Sequence, residues 1–334
     1  MQRGLLASLI KVWGDFVRRL LILSMFFLGG WLGTPSSAVA AEERLIAVIM
    51  ANSQQRYQDV HAVFVENSRS FCGDNCRIYV QTPNADIMSL RNSVRKAIAL
   101  GAELVVTYGP AAALAAKAES PPVPTIFADV YDPVSLGLVS AKDQTGRNMT
   151  GIRGDAPVQA LFKYFSESTQ ARTLAIFYDA NNPVSKLQKS VLEEIGKKKG
   201  MSIVLLPVEK LKDHMTALRA MPPGVDGLFL ASNALTESQL KEILAFASER
   251  QLPVITQRAG TAEFGAFMVL ETSVVEQGEK LAEIAGMIHT GSKTADIPMY
   301  KPHQVAFIVN LKIAKEYGIQ VPFQTLSVAS RVVR

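Results

Sequence analysis

The chain lacks the short motifs that announce common active-site chemistry. There is no G-x-x-x-x-G-K-[ST], which removes the usual phosphate cradle, and no G-x-G-x-x-G, which removes the dinucleotide fingerprint. H-E-x-x-H and G-x-S-x-G are also missing, so neither a helix-borne zinc pair nor a serine on a sharp strand-to-helix turn is encoded. Histidine is scarce: His61, His214, His289 and His303 are scattered, and each reads as a helix-surface or loop residue. An enzyme is not expected, and neither is a cofactor or a metal.

Cysteine is almost absent. Cys72 and Cys76 are the two in the sequence, spaced C-x3-C in the polar run Cys72-Gly73-Asp74-Asn75-Cys76. In an oxidising compartment they close a small disulfide loop, and in a reducing one they stay free thiols. A metal site would need two more ligands, and only His61 is near in sequence.

Long apolar runs are absent too, with one exception. Leu20–Leu32 holds 13 uncharged residues, short of the ~20 that a spanning helix needs. Arg3, Lys11, Arg18 and Arg19 precede it, Thr34-Pro35-Ser36-Ser37 breaks it, and Ala38-Val39-Ala40 supplies a small-x-small pattern. Residues 1–40 are expected to be an export signal cleaved near Ala40/Ala41; the alternative is a retained membrane anchor. The chain has 35 Lys+Arg against 30 Asp+Glu, and removing four bases and Asp15 with the signal leaves 31 against 29. That balance gives no reason to expect a nucleic-acid partner.

The rest alternates strand with helix. A continuous apolar run of strand length occurs at Leu45–Met50, and near-continuous ones at Arg77–Gln81, Leu104–Tyr108, Val123–Val130, Thr173–Tyr178, Ile203–Pro207, Gly227–Ala231 and Pro253–Thr256. Helical spacing marks Tyr57–Ser70, Ile87–Leu100, Pro183–Lys199, His214–Met221, Glu237–Arg250 and Val274–Thr290. Such alternation predicts parallel sheets covered on both faces. The expected fold is α/β, two doubly wound parallel-sheet lobes joined by a multi-strand hinge. The N-terminal lobe is assigned 41–150 plus the helix at 274–290, and the C-terminal lobe 151–272 plus 304–334. The tail Val321–Arg334 is expected to pack as a strand.

In open parallel sheets, ligands bind beyond the carboxyl ends of the strands, where helix N-termini present N–H groups. Those ends carry Asn52-Ser53, Thr107-Tyr108-Gly109, Asp129, Tyr131-Asp132, Asp179, Asn181-Asn182, Ser232-Asn233 and Gln257-Arg258. Helix N-capping alone would explain any one of them. Together they suit a small polar solute with an organic body. The candidate contacts are Tyr108 and Tyr131 as walls, with Ser53, Thr107, Ser185, Asn233 and Gln257 as polar groups. Asn148-Met149-Thr150 also matches a glycosylation sequon, a pattern frequent by chance.

Several segments resemble a known family. Pro124–Val139 (PTIFADVYDPVSLGLV) is similar to the "P-hydrophobic-F…DP…GLV" signature of tryptophan/tyrosine-type ABC-transporter substrate-binding proteins. Gly146–Gly151 resembles that family's hinge strand, Ala171–Ser185 its first C-lobe strand and helix start, and Gly318–Pro322 its closing "lGi-x-iP". The resemblance covers residues 45–330. It implies the type I periplasmic-binding-protein fold, a periplasmic location, and hinge closure over a small organic solute that an ABC permease in the inner membrane then accepts. A sensor that presents its closed form to a membrane signalling partner is the alternative. The sequence departs from the family where solute choice is made: Val184-Ser185 replaces Asn-Ser, Ser232-Asn233 replaces Asp-Asn, and Ser273-Val274 replaces an acidic-aromatic pair. An amino acid remains a candidate solute, with Asp129, Asp132 or Glu271 as the substitute partner for its ammonium.

Overall fold

The computed structural model describes residues 44–73, 75–140, 148–232 and 237–334. The expected export signal and Asn233 lie outside them. Two sheets form. The first has the order β2(Cys76–Gln81)–β1(Arg44–Met50)–β3(Leu104–Tyr108)–β4(Thr125–Val130)–β5(Met149–Arg153), every pair parallel. The second has seven strands, ordered β12(Arg331–Val333)–β11(Val305–Asn310)–β10(Met268–Thr272)–β9(Val254–Thr256)–β8(Gly227–Leu230)–β6(Thr173–Asp179)–β7(Ser202–Val208).

The continuous apolar strands are explained by burial on both faces. In β6, Leu174 and Ile176 join one core cluster with Phe162, Phe165 and Leu192, while Ala175 and Phe177 join another with Leu244 and Phe246. Fully burying a large apolar side chain contributes about 1.5–3 kcal/mol, and alternate residues supply it to opposite faces.

The second sheet is not wholly parallel. β10 and β11 pair antiparallel, with Met268 opposite Val309 and Thr272 opposite Val305. β9 and β10 are parallel yet joined without an intervening helix. Periodicity also passes over two helices. Pro110–Glu119 is built mainly of alanine, so its buried side carries no large apolar stripe to read, whereas Val158–Thr169 buries Val158, Leu161, Phe162 and Phe165 at clear helical spacing. The tail begins with a short helix, Phe323–Ser327, and only Arg331–Val333 is strand.

Cys72 and Cys76 are bonded to each other, so neither free thiols nor a metal site describes them. Their loop joins the end of the helix Gln55–Cys72 to β2. The sequon has a structural role: Thr150 is buried and donates to Ile297 O at 2.9 Å, and Asn148 Nδ2 donates to Pro122 O at 3.0 Å.

The chain passes between the sheets three times. Gly154–Pro157 leads from β5 to the helix Val158–Thr169, Ser273 leads from β10 to the helix Val274–His289, and the segment after Tyr300 leads to β11. The helix Val274–His289 packs with the first sheet, its Leu281, Ala282, Ile284 and Ala285 lying in that core. Gly278 permits the contact. A Cβ there would sit 2.5 Å from Val63 Cβ and 2.8 Å from Val60 O. Neither atom can rotate away, so the clash outweighs the helix propensity that alanine adds, about 1 kcal/mol. Gly278→Ala is therefore expected to lower unfolding stability by about 1–3 kcal/mol, read as a reduced urea midpoint at unchanged slope.

Candidate functional site

The structure separates the sequence candidates into groups. Thr107 and Tyr108 belong to the core of the first sheet and not to a surface. β3 is central, flanked by β1 and β4, and it is buried to its last residue. Both side chains are fully buried, with Thr107 Oγ1 donating to Ile126 O at 3.3 Å and Tyr108 Oη lying 3.2 Å from His61 Nδ1. Ser53 is exposed in the loop after β1. Tyr131 is half-buried after β4; burial, then the charges of Asp155 and Asp132, push its phenol pKa up.

Ser185 and Gln257 come together, through a residue that the strand ends did not reveal. Asn182 caps the helix Pro183–Lys199, its Oδ1 accepting from Val184 N and Ser185 N. Ser185 is fully buried and donates to Ser232 O at 2.5 Å. Gln188, also fully buried, accepts from Ser232 N at 2.5 Å and donates to Gln257 Oε1 at 3.1 Å. Gln257 Nε2 donates to Ala156 O at 2.6 Å, in the first crossing. Gln188 has a sequence signal: it is a glutamine on the buried stripe Val184, Ser185, Gln188, Leu192, Ile195 of its helix. Other strand-end polar residues close local turns. Asp132 accepts from Ser135 N at 3.2 Å, and Asp179 accepts from Asn181 N at 2.8 Å.

A second polar cluster surrounds Arg56, which the strand ends did not reveal either. Arg56 lies in the first turn of the helix Gln55–Cys72, where a cation opposes the helix dipole. That local mismatch is its sequence signal. Its Nε is 2.9 Å from both carboxylate oxygens of Asp129. Its Nη2 donates to Thr272 Oγ1 at 2.7 Å and to Thr272 O at 3.1 Å. Gln277 closes the ring: its Nε2 donates to Thr272 Oγ1 at 2.8 Å and to Asp129 Oδ1 at 3.1 Å, and its Oε1 accepts from Asp129 N at 2.8 Å. Asp129 holds φ +54°, a left-handed conformation that aspartate tolerates better than most residues. The pair is nearly out of water, at 11% and 13% side-chain exposure, which makes it a buried ion pair.

Two charged atoms of this region have no hydrogen-bond partner although buried: Arg56 Nη1 and Glu271 Oε2. Burial opposes the charge of Arg56, but Asp129, then Glu271, more than compensate, so its pKa is raised. For Glu271 burial wins over the nearby Arg56, and its carboxyl pKa is also raised. Tyr57, next to Arg56, is buried against Gly109, where a Cβ would lie 2.3 Å from the Tyr57 hydroxyl. Burial pushes that phenol up, and Arg258 nearby is pulled down by its own burial.

Glu276 behaves in the opposite way. It is buried in the first turn of the helix Val274–His289, behind the N-cap Ser273. Its Oε1 accepts from Tyr300 Oη at 2.8 Å and His303 N at 2.9 Å, and its Oε2 from Gln304 N at 2.8 Å. Burial alone would raise its pKa, but the His303 and Gln304 N–H groups and the Tyr300 hydroxyl outweigh it and lower it. A carboxyl with a depressed folded pKa contributes stability above its unfolded value, near 4.5, that is lost as pH falls through the folded value. Glu276→Gln is therefore expected to be destabilised at pH 7 and to lose less stability than wild type between about pH 5 and 3, as read by urea titrations across that range.

Among the described residues, no helix is long and apolar enough to cross a membrane. The family profile of ABC transporter substrate binding proteins matches residues 71–333. The tyrosine-binding protein of Clostridioides difficile (strain R20291) is 23% identical over 249 residues, 74% of this chain and 72% of that protein. A Streptococcus pneumonia ABC domain solved with L-Trp superposes at TM-score 0.81 and 20% identity, covering 87% of this chain and all of that one. The ligand-free, open structure of a Clostridium difficile substrate-binding protein with adhesive properties gives TM-score 0.69 at 22% identity, covering 87% and 99% of the two chains.

Proposed function

The chain belongs to the ABC transporter substrate binding protein family, and from that premise we propose that it serves an importer as a periplasmic receptor, closing two lobes over a zwitterionic solute of the α-amino-acid class. The solute passes to a permease in the inner membrane, and the chain performs no covalent chemistry. The observation that carries this reading is the pair of buried, unpartnered, oppositely charged atoms, Arg56 Nη1 and Glu271 Oε2. Leaving either buried without a partner is costly. A carboxylate placed on Arg56 and an ammonium placed on Glu271 remove both penalties at once. Because Arg56 sits on the first lobe and Glu271 on β10 of the second sheet, a solute touching both gains contacts that favour the closed state. The tyrosine-binding relative and the L-Trp complex of the structural neighbour support the amino-acid class.

A thermal-shift and calorimetric screen against L-tyrosine, L-tryptophan, aliphatic amino acids, nucleosides and organic acids tests the reading. Amino acids are expected to raise the Tm; a flat response to all of them sinks it. Glu271→Gln separates function from stability. The raised folded pKa means that the folded carboxylate is penalised above that pKa, so the neutral amide is expected to raise the Tm of the solute-free protein at pH 7. Affinity for the amino acid should fall about tenfold or more, because a charge-assisted bond to the ammonium is lost. A variant that keeps wild-type affinity contradicts the assignment of Glu271.

A further inference from the structure

The glutamine pair of the second lobe has a polarity that its end groups dictate. The Ser232 backbone N–H can only donate, so the Gln188 atom 2.5 Å from it is the carbonyl oxygen. Gln188 Nε2 therefore turns to Gln257, 3.1 Å away, where it must meet Oε1. Gln257 Nε2 is then aimed at Ala156 O, 2.6 Å away, and a carbonyl can only accept. A fixed donor at one end and a fixed acceptor at the other demand the same orientation, so neither amide can flip alone.

This order reaches a hydroxyl at the end of β8. The second Gln188 Nε2 proton points to Ser232 Oγ at 3.2 Å. That oxygen accepts, which leaves the Ser232 proton to be donated elsewhere. The Ser185 proton is already engaged with Ser232 O. Ser232 is half-buried, whereas Ser185 and Gln188 are fully buried beneath it.

We propose that Gln188 is a positioning residue that, with Gln257, fixes the Ser232 hydroxyl as a hydrogen-bond donor toward the solute and so selects solutes that present an acceptor oxygen there. This rests on the solute-binding reading above. A solute offering only N–H groups at that place would set donor against donor and leave both unpaired, the kind of penalty from which discrimination arises. The same relay ties the ends of β8 and β9 to Ala156 in the first crossing.

The test is a double-mutant cycle on solute affinity, with L-tyrosine and L-tryptophan as probes in calorimetry and the solute-free Tm recorded beside it. Gln188→Glu offers oxygen where Nε2 stood, so the Ser232 proton turns inward to it and no longer serves the solute. In the wild-type background Ser232→Ala is expected to weaken binding about fivefold to tenfold, and to lower the solute-free Tm as well because one proton of the buried Gln188 amide loses its acceptor. In the Gln188→Glu background the same change is expected to cost nothing. Where Gln188→Glu is too unstable to measure, Gln188→Met removes the donor without adding charge, and the cost of Ser232→Ala should again shrink. An equal cost in both backgrounds means that Gln188 only supports the fold and overturns the proposal.

If wild type binds neither probe, the amino-acid reading fails and the relay is read by NMR without solute. The side-chain amide protons of Gln188 and Gln257 are then expected to exchange slowly, and those of Gln188 to shift in Ser232→Ala. Exchange as fast as that of surface glutamines overturns the relay.

Discussion

A guanidinium has five N–H donors in one plane and no acceptor, so burying one obliges its surroundings to supply oxygens in that plane. Arg56 imposes this demand where the two lobes meet. Asp129, at the end of β4, supplies the counter-charge, and Thr272, at the end of β10, supplies two more oxygens. Gln277 orients both and belongs to the helix that returns from the second sheet to the first. Four elements are thus held in register by two side chains, Arg56 and Gln277. Gly154 completes the constraint: its N–H donates to Val130 O, and a Cβ there would lie 2.8 Å from Asp129 Cα. Removing one member of such a pair leaves a charge buried alone, which costs about 3–5 kcal/mol.

Charged and amide side chains hold each of the three crossings, while the lobe cores are mainly apolar. The first crossing is held by Gln257 at Ala156 and flanked by the Arg153–Asp155 pair. At the second, Thr272 is gripped by Arg56 and Gln277, and Ser273 caps the following helix. Glu276 ties down the third through Tyr300, His303 and Gln304. Hydrogen bonds demand particular distances and directions, whereas apolar contact is non-directional. In the proposed receptor, a hinge built from them would change arrangement without disturbing the cores on either side.

Much of this architecture was legible in the sequence, because its strongest signal is burial. In β6, Leu174 through Phe177 are all buried, and four such residues in a row leave a pattern that no solvent-facing strand produces. The alanine-rich helix Pro110–Glu119 was invisible because alanine is small enough to be buried without forming a large apolar stripe. The antiparallel β10–β11 pair was invisible because Met268–Leu270 and Phe307–Val309 are buried as continuously as the parallel strands. The site was harder still. Ser, Thr and Asn at strand ends are ambiguous between local bonding and ligand binding: Asn182 is a helix cap, and Asn52, Asp132 and Asp179 close local turns. The informative residues were those that break a local rule: Arg56 in a helix's first turn, and Gln188 and Gln277 on buried stripes.

The balance of charge at the crossing between the lobes bears on how the proposed receptor works. Arg56 is committed to the protein through Asp129 and Thr272, and Glu271 is raised in pKa because nothing equivalent offsets its burial. The positive half of the site is therefore preorganised, and the negative half is kept at a cost in stability. Replacing both by apolar residues of similar volume would relieve that cost. It would also remove the free energy that a solute gains by completing the pair. A binding site that satisfied itself would leave nothing for the solute to add, and closure would then occur with or without it. An incomplete site makes closure conditional, since only a state with the missing charges in place recovers the penalty. The unpaired atoms of Arg56 and Glu271 are, in the proposed reading, the source of that conditionality.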